Sequence, residues 1–144
     1  MIPQTNVYVP PDVSTVKTLN LIAGILTIIV LIFALIGGSM YSILLFVPNG
    51  MHFILYFIYT WLILEVILDI FLIWLIFSKI NSSLDRQEYI EAKNSTLIAT
   101  IIGFIFGSII VGIILLIAYL KYDDIIRNVQ QYYLQQSSLT NNPK

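Results

Sequence analysis

Two carboxylates four residues apart, Glu65 and Asp69, stand inside the otherwise apolar run WLILEVILDIFLIWL. At about 100° per residue they share a helix face with Ile58, Trp61, Leu72 and Ile76, so both acids point the same way. A charge at the centre of a lipid-embedded helix costs about 2.5–3.5 kcal/mol, and each neighbouring Leu, Ile or Phe returns about 0.3–0.6 kcal/mol. The run can therefore enter a bilayer, but two acids at its centre need a reason.

Two chemistries supply one. Intramembrane acids commonly mark proton or cation pathways. They also act as packing glue, a neutral carboxyl hydrogen-bonding across helices for about 0.6–2 kcal/mol per bond. Two carboxylates this close in a low dielectric do not both stay ionised at low cost. Apart from Lys79 at the very end of the run 53–80, no Lys, Arg or His lies inside an apolar span to neutralise them. Within the chain the partners on offer are the hydroxyls of Thr27, Thr100 and Ser108; a partner subunit could instead bring a cation. The pair is expected to serve assembly, with ion handling as the alternative.

The elements that would hold this pair are helices in a membrane. Of the 144 residues, 58% are hydrophobic and 10% charged, against about 25% charged in ordinary soluble domains. The mean hydropathy is +0.90. The formal net charge of −1 offers no basic surplus for nucleic acid, and the absence of cysteine excludes disulfides, thiolate metal sites and cysteine nucleophiles. The polar, proline-bearing lead 1–17 is not expected to be a signal peptide, so the first apolar run is expected to be retained.

The expected fold is all-α, a polytopic helical membrane protein with three transmembrane helices over 18–38, 53–80 and 96–120. Each is near the roughly 20 residues a bilayer core needs. The first is closed by Gly37-Gly38. Residues 39–52, with the turn Pro48-Asn49-Gly50, read as a continuation of the first helix or an interfacial turn. Residues 81–95 form the charge-rich polar loop, and 121–144 an amphipathic C-terminal helix running into coil. Four spans, or three with a re-entrant segment, are the alternatives; a fourth crossing would have to come from Ser39–Tyr59.

Three spans put the N-terminus and loop 81–95 on one side and the C-terminal tail on the other. Lys17, Lys79, Arg86 and Lys93 then place the N-terminus and the loop in the cytoplasm.

In the last span Ala99, Gly103 and Gly107 recur every four residues, a small-residue stripe that lets helix backbones approach closely. In the tail Tyr122, Ile125, Ile126, Val129, Tyr132 and Tyr133 share a face opposite Asp123, Asp124 and Asn128, suited to a partner or to headgroups. Tyr56, Tyr59, Tyr119 and Tyr122 fall where interfacial rings anchor helices. His52 is the single histidine, and one histidine without neighbouring ligands makes no metal site. No phosphate loop or nucleophile–base pair is present, so neither catalytic residues nor cofactor nor metal is expected, and no small-molecule substrate can be identified.

The segment YIEAKNSTLIATIIGFIFGSIIVGIILLIAYLKYDDIIR resembles the ends of small prokaryotic membrane proteins, in which a short Y..A loop leads into a glycine-bearing final helix ending in AY.K. The Ile-, Tyr- and Asn-rich, cysteine-free style is similar to thermophilic archaeal chains or their viruses. The resemblance implies a prokaryotic cell membrane or a virion membrane, and no particular chemistry. A rotary-ATPase proteolipid also carries a midplane carboxylate, but this chain lacks its glycine-rich first helix and two-helix hairpin.

The expected function is that of a structural or accessory membrane subunit. It would assemble with itself or with partner membrane proteins through helix packing and carboxylate hydrogen bonds. The alternative is a small proton- or cation-conducting homo-oligomer built on Glu65 and Asp69.

Overall fold

The computed structural model describes residues 8–44, 52–106 and 108–140, and every regular element in it is helical. In chain order these are α1 (Asp12–Leu44), α2 (His52–Trp74), one widened turn (Leu75–Ile80), α3 (Asn81–Asp85), α4 (Tyr89–Ile105) and α5 (Ile109–Thr140). Two stretches, Asp12–Met40 and Tyr56–Asp85, are long and apolar enough to cross a membrane.

Local chemistry explains the boundaries. Pro10 and Pro11 precede α1, where a missing N–H costs nothing, and their carbonyls accept the N–H groups of Val13 and Ser14 at 3.2 and 3.3 Å. Within the second long helix the Asn81 N–H reaches back five residues to the Ile76 carbonyl. The helix widens there for one turn without breaking, so α2, the wide turn and α3 run on as one rod. Gln87, in the left-handed region at φ 62°, stops α3. The Gln87 and Glu88 N–H groups bond back to the Leu84 and Ser83 carbonyls at 3.2 and 2.9 Å. That is the Schellman stop usually given to glycine.

The helices run up, down, up and down. Lys17 pairs with Asp85 at 2.5 Å, while at the other end a Cβ on Gly38 would touch Leu62, so α1 and α2–α3 are antiparallel. Trp61 meets Phe106 at 5.5 Å between ring centroids and Lys79 meets Glu91, so α4 runs back up along α2. Lys93 pairs with Asp123 at 2.5 Å and Gly103 faces Gly112, so α5 descends along α4. Tyr8 stacks on Tyr132 with centroids 4.5 Å apart, closing α5 onto the start of α1.

The core follows from four stripes at three- and four-residue spacing, the pattern of packed bundle helices. α1 contributes Val13, Val16, Asn20, Ala23 and Thr27, and the second rod contributes Asp69, Leu72, Ile76, Ile80 and Leu84. α4 contributes Tyr89, Ala92, Thr96, Ala99 and Gly103; α5 contributes Val111, Leu115, Ala118, Tyr122 and Ile125. The stripes end part-way up. From Tyr56 to Leu68 no residue of α2 is buried, because there α1 is its main companion.

One end of the bundle carries a ring of ion pairs, one at each seam: Lys17–Asp85, Lys79–Glu91, Lys93–Asp123 and Lys121–Asp12. Each joins exposed or half-exposed groups and contributes about 0–1 kcal/mol, so the ring specifies register more than stability. Among the described residues, the charged side chains away from this end are Glu65 and Asp69.

Four expectations are corrected. The segment 96–120 is not one helix: α4 stops at Ile105, α5 starts at Ile109, and the chain reverses between them. Ser108 marks the restart, its Oγ accepting the Ile110 N–H at 3.2 Å as a helix N-cap does. Gly37-Gly38 does not end α1, which continues to Leu44; Gly38 gives its freedom to close approach, since a Cβ there would lie 2.7 Å from Leu62. The polar loop 81–95 shrinks to Arg86–Glu88, because α3 and α4 absorb the rest. Finally, the reversal brings α5 down to the charged end, so the C-terminal tail lies on the same side as the N-terminus and the α3–α4 connection. The turn at Pro48-Asn49-Gly50 lies outside the described residues.

Candidate functional site

The four stripes carry an unusual cargo. Asn20 and Thr27 from α1, Asp69 from α2, Thr96 and Thr100 from α4 and Tyr122 from α5 are all buried. Outside them, Ile32, Phe33, Ile36, Ile67, Ile101 and Ile109 are among many large apolar side chains exposed on the surface. Polar groups inside and apolar groups outside invert the order of a soluble globule.

The lower part of this polar column is hydrogen-bonded. The Thr96 hydroxyl donates to the Ala92 carbonyl at 2.8 Å and lies 3.3 Å from the Tyr122 hydroxyl. The Thr100 hydroxyl donates to the Thr96 carbonyl at 2.7 Å, and Thr27 to the Ala23 carbonyl at 2.8 Å. Burial pushes the Tyr122 phenol above its ordinary pKa, partly offset by Thr96 and Asn20 beside it.

Asp69 stands at the top of the column. Both its carboxyl oxygens are buried and unpartnered. The contacts that bracket it set its neighbours: Trp61–Phe106 and Lys79–Glu91 place Ala99 and Thr100 at its level on α4. Gly24 against Phe77 and Gly38 against Leu62 place Thr27 about one helical turn below it on α1. On α5 its level falls near the buried, apolar Leu115.

Glu65 does not join it in the core. It is half-buried one turn higher, where α2 has lost its buried face. The shared face foreseen for Ile58, Trp61, Glu65, Asp69, Leu72 and Ile76 exists, but it is buried only from Asp69 downward. None of the hydroxyls foreseen as partners donates to either acid. Thr27 and Thr100 bond within their own helices, and Ser108 caps α5.

The small-residue stripe is spent inside the chain. Ala99 is buried, and a Cβ on Gly103 would lie 3.3 Å from the Gly112 backbone. The two glycines thus let α4 and α5 touch. Gly107 lies outside the described residues. The amphipathic face of the tail is likewise used internally: Tyr122 and Ile125 are buried, with Ile126 and Val129 packed against the same core. Tyr122 is therefore no interfacial anchor. Asn20 was missed as a core residue; its signal was an amide within an apolar run, seven residues before Thr27 on one face.

At the charged end, the Lys79 ammonium holds the Glu91 carboxyl below the usual carboxylate range. The Asp123 carboxylate raises the Lys93 ammonium, which also sits 5.1 Å over the Tyr119 ring. Among the described residues no group of three or more His, Cys, Asp or Glu is placed to hold a metal ion. No protein-family model, curated protein or solved structure matches the chain.

Proposed function

We propose that this chain is a structural or accessory subunit embedded in a prokaryotic cell membrane or virion membrane, where it assembles with copies of itself or with other membrane proteins. One observation carries the proposal: α1, α2, α4 and α5 turn large apolar side chains outward while Asn20, Thr27, Asp69, Thr96 and Thr100 are held within. Monomeric soluble proteins rarely expose continuous apolar surface on this scale. α1 and α2 would anchor the bundle, with the α4–α5 hairpin beside them. All the Lys and Arg of the described residues lie at the ion-pair end, which by the positive-inside tendency belongs in the cytoplasm.

The assembly face is not the one foreseen at Ala99 and Gly103, since these are covered within the chain. It lies on the upper part of α1 and α2, past the α4–α5 turn. There Leu35, Gly38, Ser39, Tyr59, Leu62 and Val66 line an open cleft of about 330 Å³. A Cβ on Gly37 would meet nothing within 4 Å, so a partner helix can approach the α1 backbone at that point.

Gly37→Leu tests this directly. The added side chain has room in the isolated chain, so helix content and thermal midpoint should stay near those of the natural protein. Assembly, read as oligomer size or co-purifying subunits in mild detergent, should fall sharply. Unchanged assembly would remove this face from the proposal, and a monodisperse monomer of the natural chain in native membranes would remove the proposal itself.

A further inference from the structure

The most demanding feature of the core is a carboxyl group held away from every surface with no partner. Asp69 is fully buried, both its oxygens are unpartnered, and no residue from Tyr56 to Leu68 above it is buried. Below it, among apolar side chains, the core also holds Asn20, Thr27, Thr96, Thr100 and Tyr122; at its level and above, α5 offers Leu115 and Val111, and Trp61 lies on Phe106. The site is thus built asymmetrically, hydroxyl-lined towards one end of the bundle and apolar towards the other.

We propose that Asp69 is a proton-exchange site served from the ion-pair end of the bundle through the buried column Asn20, Tyr122, Thr96 and Thr100. Hydroxyl groups both donate and accept, so each can take a proton on one lone pair while releasing its own. The Thr96 and Tyr122 hydroxyls lie 3.3 Å apart; Thr100 follows one turn above Thr96, at the level of Asp69, its hydroxyl resting on the Thr96 carbonyl and reaching Asp69 only by rotating off it. The net step is simple: a proton enters at Tyr122 from the aqueous end, and one leaves Thr100 for the Asp69 carboxylate. Reversal returns it. No bond other than O–H forms or breaks.

The electrostatic surroundings favour a proton over a fixed counter-ion. α1, α4 and α5 bring no charged group to the level of Asp69. On α1 the charged residues are Asp12 and Lys17, on α4 Glu91 and Lys93, and on α5 Lys121 and those beyond it, all at the ion-pair end. The other titratable neighbours are Tyr122 on α5, at the column's entrance, and Glu65 on the same helix, one turn towards the opposite end. A neutral acid is the form such a site holds at least cost. The inference stands whether or not the chain assembles with partners.

Infrared spectroscopy of the full chain in lipid nanodiscs provides the test. The carbonyl band of a protonated carboxyl is distinct from that of carboxylates, and Asp69→Asn assigns it. On transfer to heavy water, the Asp69 band should shift within minutes. In Thr96→Val/Thr100→Val the shift should slow about tenfold or more, because two relay hydroxyls are gone. Thr96→Ser/Thr100→Ser should restore the natural rate, separating the hydroxyl's role from packing, and Phe106→Ala at the far end should leave it unchanged. An unchanged rate in the valine variant would overturn the route. Acceleration by Phe106→Ala would place access at the other end. No exchange over hours, while the amides of Arg86–Glu88 exchange, would overturn the site; if the valine variant loses its helix content, the Phe106→Ala and natural-chain outcomes still decide.

Discussion

Asp69→Val is expected to raise the thermal midpoint of the purified chain by several degrees, although it removes the acid that the core was built around. Asp69 is fully buried and neither carboxyl oxygen has a partner. An unsatisfied buried polar group costs about 1–3 kcal/mol, and replacing it with an apolar group of similar shape recovers much of that. In a chain of this size, 1 kcal/mol corresponds to roughly 2–4 °C. Valine adds little bulk, so overpacking does not cancel the gain. Glu65→Val should shift the midpoint far less, because Glu65 is only half-buried. A loss of stability in Asp69→Val would mean that the carboxyl bonds across helices after all, as packing glue would require. A gain would mark Asp69 as retained at the expense of stability, the usual sign of a functional group.

Gly103→Leu is expected to act in the opposite direction, and strongly. Even a Cβ at Gly103 would lie 3.3 Å from the Cα and N of Gly112, which are backbone atoms that cannot turn aside. A leucine must push α4 and α5 apart, and overpacking of this kind costs about 1–3 kcal/mol or more. The same seam carries the Thr96–Tyr122 contact and the Lys93–Asp123 pair, so separation there would loosen the polar column and the ion-pair ring together. Ile105→Leu provides the contrast. Ile105 is exposed on α4, and its substitution should stay within about 0.5 kcal/mol. Equal midpoints for the two variants would show that the α4–α5 seam is not closely packed.

These two outcomes bear on how much of the molecule was legible in the sequence. Its helical class followed from composition and from runs without breakers, and the importance of Gly103 followed from small-residue spacing. What hid was the direction of the chain. The stretch from Thr96 to Leu120 is apolar enough to pass for one span, and only Gly107-Ser108 interrupts it, with glycine tolerated in membrane helices. The serine is the telling residue, because its hydroxyl caps α5. Missing that reversal left open which helix faces Gly103, and put the C-terminal tail at the opposite end of the bundle from the N-terminus.

The polar loop was misread for a related reason. The charged residues from Asp85 to Lys93 suggested an exposed connection with room for no more than a short helix, yet Asp85, Glu91 and Lys93 sit on helix ends, where they pair across seams. Gln87 at a left-handed position gave no signal, since glycine or asparagine is the residue expected there. Asp69 was visible as an anomaly, but its separation from Glu65 was not. Spacing puts the two on one face; only the height at which α2 loses its buried face decides which of them is enclosed.

The up-down-up-down course of the helices puts the α3–α4 connection and the C-terminal tail at the same end of the bundle. Because the chain has no cysteine, single reporters at Glu88, Ser138 and Asn49 can be read without background. Intact cells treated with an impermeant thiol reagent should leave Glu88→Cys and Ser138→Cys unlabelled until lysis, while Asn49→Cys, between α1 and α2, should react at once. Labelling of Ser138→Cys in intact cells with Glu88→Cys protected would mean an odd number of crossings, and would contradict the fold, the polar column and the proposed orientation together.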